Sequence, residues 1–138
     1  MARYLIVAHQ TAGGPKLRAA LRDLIQRDPD AEFSLLVPAT PVEHMAGWTR
    51  GESRTVAQEA GEQAREALAA DGIEVEGVEV GDPNPVYAVA DAFNRGKRWD
   101  EVIVSTLPVG VSRWVKLDVV SRIEREVDVP VVHVEAED

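Results

Sequence analysis

The 138-residue sequence contains no cysteine. That excludes a disulfide framework, a thiolate metal site and a cysteine nucleophile, and it fits a reducing compartment. No apolar run approaches the ~20 residues that a membrane helix needs. The opening "MARYLIVAHQ" lacks the long apolar stretch and cleavage site of a secretion signal. A soluble, cytoplasmic protein with no membrane partner is expected. Positive charge is also short, with 15 Lys and Arg against 24 Asp and Glu, for a net charge of −9. An acidic surface repels phosphate backbones, so no nucleic acid partner is expected.

Chemical signatures are missing as well. There is no Walker pattern, no Gly-x-Gly-x-x-Gly and no Gly-x-Ser-x-Gly elbow. His9, His44 and His133 lie far apart, without the spacing of a metal site. A pairing of His9 with Ser105 across neighbouring strands would have no orienting acid and no oxyanion hole. No catalytic set can be named, so an enzyme is not expected.

What the sequence does hold is a regular alternation of strand and helix patterns. Short apolar runs, "RYLIVAH" (3–9), "FSLLVPA" (33–39), "EVIVST" (101–106) and "VPVVHV" (129–134), read as strands buried on both faces. "IEVEGVEV" (73–80) reads as a strand with one polar face or an edge position. Its alternation shifts phase across Gly77, which predicts a bulge. Between these runs lie amphipathic stripes. Leu17, Ala20, Leu21, Leu24 and Ile25 follow Pro15, a residue suited to a first helical turn. Val56, Ala60, Ala64, Ala67 and Leu68 mark a second helix over about 54–70. Val86, Val89, Ala90 and Phe93 mark a third, and Leu117, Val120, Ile123 and Val127 a fourth. Residues 40–53 have no period and read as a loop. The order β-α-β-α-β-α-β-α-β predicts one α/β domain over 1–138, a three-layer α/β/α arrangement around a five-stranded parallel sheet.

In such a sheet, ligands bind beyond the carboxyl ends of the strands, where the strand order reverses. For a five-stranded sheet that starts in its middle, that point lies between strands 1 and 4. The loops meeting there are "HQTAGGPK" and "STLPVGVSRWVK", which are rich in hydroxyls and glycines. The helices after them place backbone N–H groups toward the crevice. His9, Gln10, Thr11, Gly13 and Gly14 are the candidates from the first loop. Ser105, Thr106, Gly110, Ser112, Arg113, Lys116 and Ser121 are the candidates from the second. Arg113 suits bidentate binding of phosphate or carboxylate. Trp114 reads as an apolar cover rather than a stacking platform.

The order and spacing of "LIVA", "SLLVPA", "GDP", "EVIVST" and "VPVVHV" resemble those of the universal stress proteins over nearly the whole chain. The resemblance implies strand order 3-2-1-4-5, a homodimer paired through the last strand, and ATP or another adenine nucleotide between loops 1 and 4. The family's Gly-x2-Gly-x9-Gly-Ser/Thr motif falls on Ser105, Pro108, Asp118 and Val119, so every signature position departs. Its strand-1 Asp falls on or near His9 and Gln10. Pro108 has no N–H to offer, and Asp118 would repel a polyphosphate.

Two functional expectations follow. One is a regulatory protein that binds a small anionic ligand, an adenine nucleotide being one candidate, without rapid turnover. The other is an adaptor that acts through its dimer surface. The last strand is apolar on both faces at a sheet edge, which calls for a partner. Val131, Val132, His133 and Val134 are its candidate interface.

Overall fold

The computed structural model describes residues 2–9, 11–39, 50–107, 114 and 118–136, with 50–53 described by their backbone alone. The strands are β1 (Arg3–Val7), β2 (Glu32–Pro38), β3 (Val75–Gly81), β4 (Glu101–Thr106) and β5 (Val131–Glu135). The helices among the described residues are α1 (Pro15–Arg27), α2 (Arg50–Ala70), α3 (Pro85–Phe93) and α4 (Val119–Glu126). The five strands form one sheet in the order β3-β2-β1-β4-β5, and every neighbouring pair is parallel. This is the expected three-layer order.

Alternation within the central strands divides the core between the two faces. Tyr4 and Ile6 of β1, with Phe33, Leu35 and Val37 of β2, pack with Leu17 and Leu21 of α1 and Ala64 and Leu68 of α2. Leu5 and Val7, with Val102 and Val104 of β4, pack with Val86 and Val89 of α3 and Val119 and Ile123 of α4. Burying each large aliphatic side chain contributes roughly 1.5–3 kcal/mol. That is why the middle strands read as largely apolar runs.

Local chemistry sets the helix ends. Gly14 is the extended N-cap of α1 and Pro15 its first residue, where a missing N–H costs nothing. Asp28 closes the helix by donating its N–H to the Leu24 carbonyl at 2.7 Å. Asn84 caps α3 through its Oδ1, which accepts from the Val86 N–H at 3.0 Å. Helix α2 starts at Arg50, inside the stretch 40–53 that reads as a loop and six residues before its apolar stripe begins at Val56; residues 40–49 lie outside the described ones. Arg50–Ser53 carries no apolar residue, so periodicity is silent there.

The bulge falls where the phase shift placed it. Phe33 pairs with Val75, but Leu35 pairs with Val78, so β3 spends one residue more than β2 between those rungs. Helix α2 lies close on this edge: a Cβ added at Gly61 would come within 2.4 Å of Val78 Cγ1. Two aspects of the core differ from the sequence pattern. Trp99, set in a basic segment, is buried in the α3/α4 face, while Lys97 Nζ lies 5.8 Å from its ring centroid. The buried face of α4 runs through Val119 and Ile123 and continues to Val127 at its C-cap, with Val120 only half-buried and Leu117 outside the described residues. Among the described residues no helix is long and apolar enough to cross a membrane.

Candidate functional site

The carboxyl ends of β1 and β4 are adjacent, since Val7 pairs with Val104. The chain then leaves β1 through a tight turn. Ala12 N–H donates to the His9 carbonyl at 3.2 Å, and Gly14 N–H donates to the Thr11 carbonyl at 3.0 Å. These bonds fold the first loop back over the strand end and bring Thr11 against β4. Thr11 Oγ1 and Ser105 Oγ lie 2.6 Å apart, both buried.

Four polar side chains are buried among the described residues: His9, Thr11, Ser105 and Thr106. All four belong to the ends of β1 and β4 or to the turn after β1. Elsewhere the core is apolar, as expected where burying a polar group without a partner costs about 1–3 kcal/mol. Alternation along β4 turns Ser105 to the face of Ile103 and Thr106 to the face of Val104, which lie in different core clusters. Hydroxyls therefore flank the strand end on both faces. Thr106 Oγ1 shares a hydrogen bond of 2.7 Å with His133 Nε2 on β5. Both residues were candidates from the sequence, one for ligand and one for dimer. The bond between them was not foreseen, because strand pairing alone gives no hint of it.

His9 is 8% exposed, and neither ring nitrogen finds a hydrogen-bond partner among the described residues. Burial holds its pKa below the ordinary imidazole value, because an apolar surround disfavours the cation. An orphaned polar group of this kind in a native structure calls for a reason, such as a ligand.

The other candidates are distributed as follows. Gly13 packs against α2, where an added Cβ would lie 3.3 Å from Ala67 Cβ. Gly14 forms the turn and cap described above. A side chain at either glycine would be tightly packed, with 3.2 Å from an added Cβ at Gly14 to the Thr11 carbonyl oxygen, and the Gly14 N–H is engaged by a backbone carbonyl. Ser121 lies in the first turn of α4 and is half-buried. Trp114 is buried with the α3/α4 core, in keeping with the reading of it as an apolar cover. Gln10, Gly110, Ser112, Arg113 and Lys116 lie outside the described residues, as do Pro108, His44 and Trp48.

Asp118 is exposed at the N-cap of α4 with φ 54° and ψ 42°. It is the only non-glycine residue with positive φ among those described. Left-handed backbone is what glycine adopts without strain, and this is the position aligned with the third glycine of the motif. Its backbone has a glycine-like shape while its side chain carries a negative charge.

On β5, Val132 is 42% exposed, His133 is exposed, and Val131 and Val134 are half-buried. Val134 packs on the α1/α2 core.

No family model matches the chain, and no curated protein matches it in sequence. Solved structures do match in shape. A universal stress protein from Archaeoglobus fulgidus is 11% identical over 97% of this chain and 93% of its own, with a TM-score of 0.61. The same kind of protein from that organism in complex with dAMP is 13% identical, with 97% of each chain covered and a TM-score of 0.61. A universal stress protein in complex with cAMP is 17% identical over 99% of this chain and 98% of its own, again at 0.61. The chain has the universal stress protein fold.

Proposed function

We propose that this chain is a universal-stress-like regulatory protein. It binds a small anionic ligand, an adenine nucleotide first among the candidates, in the crevice between the loops after β1 and β4, without rapid turnover. One observation carries the reading: the polar side chains buried among the described residues gather at the ends of those two strands. The dAMP and cAMP held by proteins of the same fold support the choice of nucleotide. Binding is tested by calorimetric titration with ATP, ADP and AMP, after checking the purified protein's absorbance for a carried nucleotide. Micromolar binding that Ser105→Val weakens supports the reading. No heat with any nucleotide and no carried ligand refutes it.

A second reading is favoured by the apolar outer strand. Val132 remains exposed on β5, at an edge that a two-fold mate would complete. In that reading the protein is a homodimeric adaptor that acts through protein–protein contacts. It predicts partner binding that is indifferent to changes in the crevice.

A further inference from the structure

Among the described residues, His9 is the one titratable side chain buried at the ends of β1 and β4, and neither of its ring nitrogens has a partner. A neutral imidazole offers one donor and one acceptor. The imidazolium offers two donors and a charge. The resemblance puts at or near this position an aspartate that holds the adenosine part of the ligand. A carboxylate would repel an anion, whereas a histidine attracts one once it is protonated.

We propose that His9 selects for an anionic group in this crevice, and that the anion enters together with a proton taken up by the imidazole. The inference rests on the ligand-binding reading above. It adds the chemical class of the group at the end of β1, a phosphate ester or similar oxyanion, and it makes affinity depend on pH. The proton comes from solvent and adds to the free ring nitrogen, and no other bond forms or breaks. Charged and titratable groups on the surrounding elements are Lys16 at the start of α1, Asp82 ahead of α3, Asp118 ahead of α4, and His133 and Glu135 on β5. Burial, rather than any of these charges, is what disfavours the imidazolium. A bound anion reverses that balance by supplying the opposite charge.

The sign follows from linkage. Binding that favours the protonated ring strengthens as pH falls, approaching about tenfold per pH unit between the free and bound pKa values. The probe is cAMP, whose phosphodiester is a monoanion throughout. AMP is unsuitable because its own phosphate titrates near roughly 6. Calorimetry from about pH 5.5 to about 8, in two buffers of different ionisation heat, counts the protons taken up.

The expected result is uptake approaching about one proton with cAMP, none with uncharged adenosine, and loss of the pH dependence in His9→Gln. A second measurement needs no change at His9. The ring resonances of the three histidines are assigned with His44→Gln and His133→Gln. The His9 signal titrates at higher pH with cAMP bound than without it. Binding of cAMP that is indifferent to pH, equal uptake with adenosine, or an unchanged pH profile in His9→Gln would overturn the role of His9 while leaving the nucleotide reading standing. Absence of binding by cAMP, AMP and sulfate at every pH overturns both.

Discussion

Thr11 Oγ1 and Ser105 Oγ meet at 2.6 Å although they are 94 positions apart in sequence. The bond ties the first loop to the end of β4. Removing one hydroxyl strands the other in a buried site. Thr11→Val or Ser105→Ala is therefore expected to destabilise the protein by about 1–3 kcal/mol. The double variant should cost clearly less than the sum, because no orphan remains. Urea denaturation of the four species measures the coupling, and strict additivity would show that the bond contributes nothing.

Stability should depend on pH through His9. Its pKa in the folded chain is lowered from 6.5 by burial, so the unfolded chain takes up a proton first as pH falls. The contribution of the neutral ring is complete above that ordinary value. It is lost progressively as pH drops through it toward the lower folded value. Melting temperatures across this window should fall more steeply for the natural protein than for His9→Gln. Parallel curves would place the pH sensitivity elsewhere.

Gly61 pits helix propensity against packing. Alanine in the middle of a helix is worth roughly 0.5–1 kcal/mol over glycine. Here its methyl would sit 2.4 Å from Val78 Cγ1 and 3.2 Å from Val37 Cγ2, an overlap of the kind that costs about 1–3 kcal/mol. Packing should win. Gly61→Ala is expected to destabilise by about 1 kcal/mol net, and adding Val78→Ala should restore most of it. A stabilised single variant would mean that α2 can lift from the sheet freely.

Val132 provides the test of assembly. If β5 pairs with its two-fold mate, Val132→Glu places like charges across the axis and should shift the mass measured by light scattering from dimer to monomer at micromolar concentration. Its exposure means that the fold should tolerate the change, within about 0.5 kcal/mol in the unfolding of the isolated chain. A natural protein that is already monomeric would remove the dimer from the account.

Much of the architecture was readable because burial on two faces leaves a plain record. β1, β2 and β4 are mostly apolar, and the glutamates of β3 announced a polar face or an edge. The phase shift at Gly77 even located the bulge. The start of α2 was hidden because Arg50–Ser53 has nothing to bury. Trp99 was obscured by the Lys and Arg around it, although a large ring goes to the core while its charged neighbours stay in water. At the site, sequence named His9, Thr11, Ser105, Thr106 and His133 one by one. It could not pair Thr11 with Ser105 or Thr106 with His133, nor show that His9 has no partner among the described residues. Those facts are distances: the Thr11–Ser105 contact depends on how the turn after β1 folds, and the Thr106–His133 bond on side-chain reach across β4 and β5.

The two edges of the sheet differ in a way that limits what the protein can build. At β3 the ladder is interrupted by the bulge. Arg54 and Arg65 of α2 reach the carbonyls of Val80 and Glu76, each at 3.4 Å, and Glu79 is engaged by Arg95. Such a margin offers poor rungs to an incoming strand. At β5 the rungs are regular and the side chains largely apolar. A chain with one serviceable margin has a valence of one. Two copies joined there would saturate each other, and the described residues offer no second regular edge from which a fibre could grow.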